Sequence, residues 1–155
     1  MKVKSGCEFL ARMFEPKYPT ALQILTLDYN KFGNEGMLYL ITGFKTAKCL
    51  TYLSLAYCDI TEVGIKYMHD YLVSPSCTLE KLNIQGNPLK NVGMNILIQS
   101  LSLNTTIEEL NINNILFGKD DDTIVNLVGL MTGNTTLLNY QLKFNLITDK
   151  GNFVF

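Results

Sequence analysis

A six-residue pattern, L-x-x-L-x-L, recurs along this chain at nearly constant spacing and narrows its possible folds more than any other feature. Isoleucine or tyrosine sometimes stands in for leucine. The pattern falls at Leu22/Leu25/Leu27, Leu50/Leu53/Leu55, Leu79/Leu82/Ile84, Ile107/Leu110/Ile112 and Leu137/Tyr140/Leu142, with starts 28, 29, 28 and 30 residues apart. Other columns keep the same phase. Eight residues after each start stand Asn30, Cys58, Asn87, Ile115 and Asn145, and ten after stand Phe32, Ile60, Leu89, Phe117 and Ile147. Fourteen after, glycine recurs as Gly36, Gly64, Gly93 and Gly151, with only the fourth unit out of step. Self-similarity at such a period is the mark of a stacked repeat architecture.

Two shorter periods run inside each unit. The L-x-L core alternates, as a strand with one buried face must. After the glycine the apolar spacing becomes i, i+3, i+4, i+7, one face of a helix. Met37, Leu40, Ile41 and Phe44 follow it, as do Ile65, Met68, His69 and Leu72, and Met94, Leu97, Ile98 and Leu101. Each unit therefore predicts strand, turn and helix, and neither apolar face can be buried within one unit. Stacking buries both in one continuous core. The expected fold is an α/β solenoid, a right-handed βα superhelix shaped as part of a horseshoe. A parallel sheet lines its concave face, and helices form the convex one.

The pattern divides the chain into repeats at 22–49, 50–78, 79–106 and 107–136, with a partial repeat at 137–155. Residues 1–21 predict the helix of an incomplete N-terminal repeat, its inner face made by Cys7, Leu10, Ala11 and Phe14. In the fourth repeat the helix face, Ile124, Leu127, Val128 and Met131, fits only if two residues are inserted within Gly118–Asp122. That loop is expected to bulge, with Asp122 or Thr123 capping the helix. Neither end carries the polar capping unit that solenoids use for solubility, so end-to-end contacts with neighbouring subunits are expected.

These columns resemble the ribonuclease-inhibitor-like subfamily of leucine-rich repeats. The segment from Leu50 through Leu53, Leu55, Cys58, Ile60 and Gly64 to Ile65 matches its pattern almost throughout. The resemblance implies that Asn30, Cys58, Asn87 and Asn145 form a hydrogen-bonded turn ladder, from which Ile115 departs. It is specific for fold and not for function. Relatives include inhibitors, innate-immune sensors, activators of a small nuclear GTPase, actin-capping proteins and subunits of ciliary machinery.

Reactive chemistry has little foothold. The single histidine, His69, sits in a helix column otherwise filled by Ile41, Ile98 and Val128, and is expected to be packed rather than catalytic. Asp120, Asp121 and Asp122 are contiguous, unlike the alternating oxygen ligands of a calcium loop, and suit a helix N-terminus. The cysteines Cys7, Cys49, Cys58 and Cys77 lack metal-ligand spacing. Cys49 and Cys77 are expected as small buried fillers, in a reduced compartment. Asn104-Thr105-Thr106 and Asn134-Thr135-Thr136 match the glycosylation sequon, but their common phase predicts asparagines in the left-handed conformation that ends a helix. No catalytic residue, metal or cofactor is expected.

Formal net charge is −1 with one arginine, which argues against a nucleic-acid partner. No basic amphipathic stretch or long apolar run argues for a membrane. What remains is the open sheet face. Its first outward column is Thr26, Ser54, Asn83, Asn111 and Gln141; the second holds Asp28, Ala56, Gln85, Asn113 and Lys143. At the strand exits stand Tyr29, Tyr57, Gly86, Asn114 and Phe144. Uncharged hydrogen-bonding groups beside aromatics suit a protein partner. The expectation is a non-catalytic protein-interaction module of the cytoplasm, its partner unidentified. The contact residues are Thr26, Asp28, Tyr29, Ser54, Tyr57, Asn83, Gln85, Asn111, Asn113, Gln141, Lys143 and Phe144. Alternatives are an architectural part of a cytoskeletal or ciliary assembly, and a regulator of a small GTPase. Against the last, the chain ends in Asn152–Phe155 rather than in an acidic tail.

Overall fold

The computed structural model describes residues 3–18 and 20–148, with side chains from Gly6 onward. Helix and strand alternate along the chain: α1 (Val3–Arg12), β1 (Ile24–Thr26), α2 (Gly33–Phe44), β2 (Tyr52–Ser54), α3 (Glu62–Leu72), β3 (Lys81–Asn83), α4 (Lys90–Leu103), β4 (Glu109–Asn111), α5 (Asp121–Gly133) and β5 (Asn139–Gln141). The strands form one parallel sheet in sequence order, β1 to β5. Its register lines up the pattern: Leu25 opposes Leu53, Leu53 opposes Leu82, Leu82 opposes Leu110, and Leu110 opposes Tyr140. A one-residue slip would turn every leucine to water, so the pattern itself fixes the register.

The core is one continuous cluster running the length of the stack. Leu53, Leu55, Ile84 and Ile112 are fully buried, as are Met37, Leu40, Ile65, Met68, Met94 and Leu97 from the helices. Burying one such side chain stabilises the fold by roughly 1.5–3 kcal/mol. The first helix is drawn in as tightly as the rest. A Cβ on Gly43 would come within 2.7 Å of the Ala11 Cα, so only glycine lets α1 and α2 approach this closely.

Hydrogen-bonded asparagines join the turns. Asn87 Oδ1 accepts from the backbone N–H groups of Cys58 and Ile60, both at 3.0 Å, and its Nδ2 donates to the Leu55 and Ile84 carbonyls, both at 2.8 Å. Asn145 repeats the motif, accepting from Ile115 N–H at 2.9 Å and donating to the Ile112 and Leu142 carbonyls. Cys58 takes the same place with its thiol, which donates to the Leu27 carbonyl at 3.1 Å. Burial pushes that thiol up to about 11. Ile115 lacks the amide, yet it is fully buried and β4 keeps its register on both sides, so the fourth repeat is regular at its strand.

Several local expectations are corrected. The α5 cap is Asp120, whose Oδ1 accepts from Thr123 N–H at 2.7 Å; Asp121 and Asp122 lie in the first turn and Thr123 is buried. Val128 is 37% exposed and Leu130 packs inward in its stead, because α5 is the outermost helix described on that side. Asn104 and Asn134 are extended, not left-handed. They are placed there by their amides: Asn104 Nδ2 donates to the Leu72 carbonyl and Asn134 Nδ2 to the Leu101 carbonyl, each reaching back one repeat. Cys49 is half-buried, unlike Cys77. His69 is half-buried, its Nδ1 2.9 Å from Ser100 Oγ. Gly151 and the residues expected to begin a last helix lie outside the described residues.

Candidate functional site

The outward sheet columns make a continuous hydrogen-bonded surface. Asp28 Oδ1 accepts from Ser54 Oγ at 2.6 Å and from Ala56 N–H at 2.8 Å, and Ser54 Oγ accepts from Asn83 Nδ2 at 2.9 Å. Asn111 Nδ2 donates to Gln85 Oε1, and Gln85 Nε2 donates to the Tyr57 hydroxyl, both at 3.1 Å. Asn113 Oδ1 accepts from Lys143 N–H at 2.6 Å. Such chains hold each side chain in one rotamer before any partner arrives, which lowers the entropy cost of association.

Three positions of the outward columns are less exposed than expected. Ser54 is fully buried, Ala56 is 4% exposed and Asn113 is 7% exposed. Ser54 is bonded to Asp28 and Asn83 of the adjoining repeats, and Asn113 to Lys143 of the next. Thr26, Gln141, Lys143 and Phe144 are exposed, whereas Asp28, Tyr57, Asn83, Gln85 and Asn111 are half-buried. The open surface is thus richest at the two ends of the columns and along the strand exits.

The strand exits are built on unusual backbone. Tyr29, Tyr57, Gly86, Asn114 and Phe144 all take positive φ, 63°, 54°, 70°, 52° and 61° respectively. Glycine and asparagine suit this left-handed region; for a bulky aromatic it costs on the order of 1–3 kcal/mol. Tyr29 and Tyr57 are stacked, their ring centroids 4.8 Å apart and their planes 6° from parallel. The Tyr57 ring lies over Gly86, where any Cβ would come within 2.3 Å of it. A shingled step results: Gly86 seats Tyr57, Tyr57 seats Tyr29, and Tyr29 is 71% exposed.

A third outward column was missed from the sequence although alternation implies it: Ile24, Tyr52, Lys81, Glu109 and Asn139 lie in register across the strand entries. Lys81 Nζ and Glu109 Oε1 pair at 2.8 Å. That bond, with Glu109, Glu108 and Glu80 close by, holds the lysine above its ordinary range. Ile24 is 63% exposed at the free edge of β1. Among the described residues no group of three or more His, Cys, Asp or Glu is placed to hold a metal ion. No described helix is long and apolar enough to cross a membrane.

A family model described as leucine-rich repeat matches residues 18–40, 46–68 and 76–95. Mouse ribonuclease inhibitor is 35% identical over 98 residues, covering 63% of this chain and 21% of the inhibitor. The chain carries leucine-rich repeats, similar to those of ribonuclease inhibitor. Mouse NACHT, LRR and PYD domains-containing protein 9C is 28% identical over 129 residues, covering 82% of this chain and 12% of that protein. The chain thus spans only about a tenth to a fifth of the length of these curated relatives. Among solved structures, the leiomodin-1 actin-binding site 2 shares the fold at a TM-score of 0.74 and 17% identity, covering 90% of this chain and 78% of that one. In this leucine-rich repeat stack the strand exits and the outward columns share one face, opposite the helices.

Proposed function

We propose that this chain is a non-catalytic protein-binding module that grips a partner protein on the concave sheet face and along the strand-exit rim. The observation that carries this is the aromatic step. Two tyrosines are held in a backbone conformation that costs them energy and stacked on each other, Tyr57 half-buried and Tyr29 open to solvent, beside a sheet face whose polar groups are hydrogen-bonded to one another. Exposed aromatics on a rigid frame are the usual anchors of protein interfaces. The polar, nearly neutral surface favours protein over nucleic acid. The contact set we propose is Thr26, Asp28, Tyr29, Tyr57, Asn83, Gln85, Asn111, Gln141, Lys143 and Phe144, with Ser54 and Asn113 serving from beneath as supports. Ile24 and Tyr52 extend it at the strand entries.

The test is affinity capture with identified prey. Wild-type chain is compared with a face variant, Tyr29→Ser with Gln141→Arg, and with a helix-side variant, Val92→Arg. The expected result is specific prey lost by the face variant and kept by the helix-side variant. The same prey recovered by both, from folded protein, removes the concave-face assignment.

A second reading makes the chain part of a larger, cytoskeletal assembly. Apolar side chains at the last strand favour it, with Leu138 79% and Phe144 82% exposed. So does the likeness to a domain described as an actin-binding site of leiomodin-1. Cosedimentation with filamentous actin tests it directly, and no enrichment in the pellet would dismiss it. A cytoplasmic setting accords with four free cysteines.

A further inference from the structure

The two edges of the sheet carry unused groups that match each other. Inside the stack each repeat donates forward at its strand exit. Leu27 N–H bonds the Ser54 carbonyl and Tyr29 N–H the Ala56 carbonyl, both at 2.8 Å, and Ile112 and Asn114 do the same to Gln141 and Lys143. After β5 the equivalent donors, Leu142 N–H and Phe144 N–H, meet no acceptor among the described residues. At β1 the equivalent acceptors are the Thr26 and Asp28 carbonyls. The Asp28 carbonyl takes only the 3.3 Å bond from Asn30 Nδ2, whereas the Gln85 carbonyl takes both an asparagine amide and Tyr57 N–H.

Three side chains extend the match. Asn30 is held like Asn87, its Nδ2 donating to the Leu27 and Asp28 carbonyls, yet its Oδ1 accepts nothing among the described residues. Asn87 Oδ1 takes two N–H groups of the repeat before it, and Asn145 Oδ1 takes one. The exit rings also lean forward, Tyr29 on Tyr57 and Tyr57 over Gly86. Phe144 is 82% exposed at the last exit, and Tyr29, stacked on one face only, is 71% exposed at the first. The second outward column runs from Asp28 to Lys143, opposite charges that are both without an ion pair among the described residues.

We propose that the β5 edge of one copy of this chain docks on the β1 edge of a second copy and continues the parallel sheet. In this contact Leu142 and Phe144 N–H donate to the second copy's Thr26 and Asp28 carbonyls. Asn30 Oδ1 of the second copy accepts from Asn145 N–H, Phe144 lies on Tyr29, and Lys143 meets Asp28. Pairing like edges gives Lys143 no Asp28 and Phe144 no Tyr29. A contact between unlike edges leaves one of each free, so growth continues past the dimer unless a ring closes. This goes beyond the concave-face assignment and does not depend on it.

The experiment measures mean mass by light scattering and sedimentation over a concentration series of the full chain. Dilute protein should run as monomer, with the mass climbing past dimer as concentration rises and less steeply at high salt, which screens the Asp28–Lys143 contact. Two variants block one edge each. Thr26→Pro removes an edge N–H that β2 does not use. Lys143→Glu with Phe144→Asn reverses the charge and removes the ring, asparagine suiting the positive φ. Each should associate at least about tenfold more weakly alone. Mixed in equal amounts they should form a one-to-one dimer and stop, because each keeps the edge the other lacks. Val92→Arg, on the helix side, should follow the wild-type series. A wild type that stays monomeric at every concentration would overturn the contact and leave the edges to some other protein. Association abolished by only one of the two edge variants, with no dimer on mixing, would overturn it in favour of like-edge pairing. Loss of prey with Tyr29→Ser and Gln141→Arg in a chain that never self-associates would leave the concave face standing and this contact fallen.

Discussion

The middle of the stack and its two ends are written in the same repeat but behave differently. In the interior, Leu50, Leu53 and Leu55 are fully buried, as are Leu79 and Ile84, because a neighbour covers them on each side. In the first repeat Leu22, Leu25 and Leu27 are only half-buried, and in the last Tyr140 and Leu142 are as well. The residues are the same kind at the same register. What differs is the number of neighbouring repeats. Stability in such a stack comes from interfaces between units more than from any unit itself, so the ends are soft and the centre is firm. The proposed binding face straddles that gradient. Its polar core rests on the firm repeats, while Tyr29, Lys143 and Phe144 project from the soft ones.

The sharpest break in this comparison comes from matched leucine truncations. Leu82→Ala should cost about 3–5 kcal/mol by urea unfolding, because its fully packed site cannot collapse to fill the hole. Leu25→Ala, at the half-open end, should cost only about 1–2 kcal/mol. Equal costs would mean that the repeats do not act as stacked units. Next in size is the turn ladder. Asn87→Ala strands two buried N–H groups and two carbonyls and should cost about 2–4 kcal/mol. Asn30→Ala loses two exposed bonds, to the Leu27 and Asp28 carbonyls, and should cost under about 1 kcal/mol. A similar loss at both positions, measured as the shift in unfolding midpoint, would contradict the ladder's role. Smallest is Tyr29→Asn. Relief of left-handed strain and loss of the ring stack nearly cancel, so thermal stability should hold within about 1 kcal/mol. Tyr57→Asn, which also uncovers Gly86 and frees Gln85, should cost more than Tyr29→Asn.

Much of the fold was legible in the sequence because the leucine columns encode burial directly. Leu53, Leu82 and Leu110 oppose one another as their phase requires. The ladder at Asn87 and Asn145 followed from family resemblance, and its bonds are present. Other features were hidden for physical reasons. Ser54 and Asn113 are bonded to groups of the adjoining repeats, contacts that no single-repeat pattern carries. The cap was expected at Asp122 or Thr123 and lies at Asp120, because a run of three aspartates offers the same capping chemistry at each position. Asn104 looked like a left-handed helix stop because its real task, bonding a carbonyl 32 residues earlier, is tertiary. The aromatic step was the least visible. Tyrosine is a poor choice for positive φ, and only the position of Gly86 beneath Tyr57 explains why two of them stand there.

Native-state hydrogen exchange, residue by residue, tests the central claim most directly. The Leu55 and Ile84 amides, donating to Asn83 and Asn111 in the interior, should exchange only with global unfolding. The Leu27 amide, donated from the edge strand β1, and the Ile112 amide, donated to the edge strand β5, should open at lower free energy. A graded profile falling from β3 towards both ends is the predicted result; uniform protection across all five strands would contradict a stack held together by its neighbours.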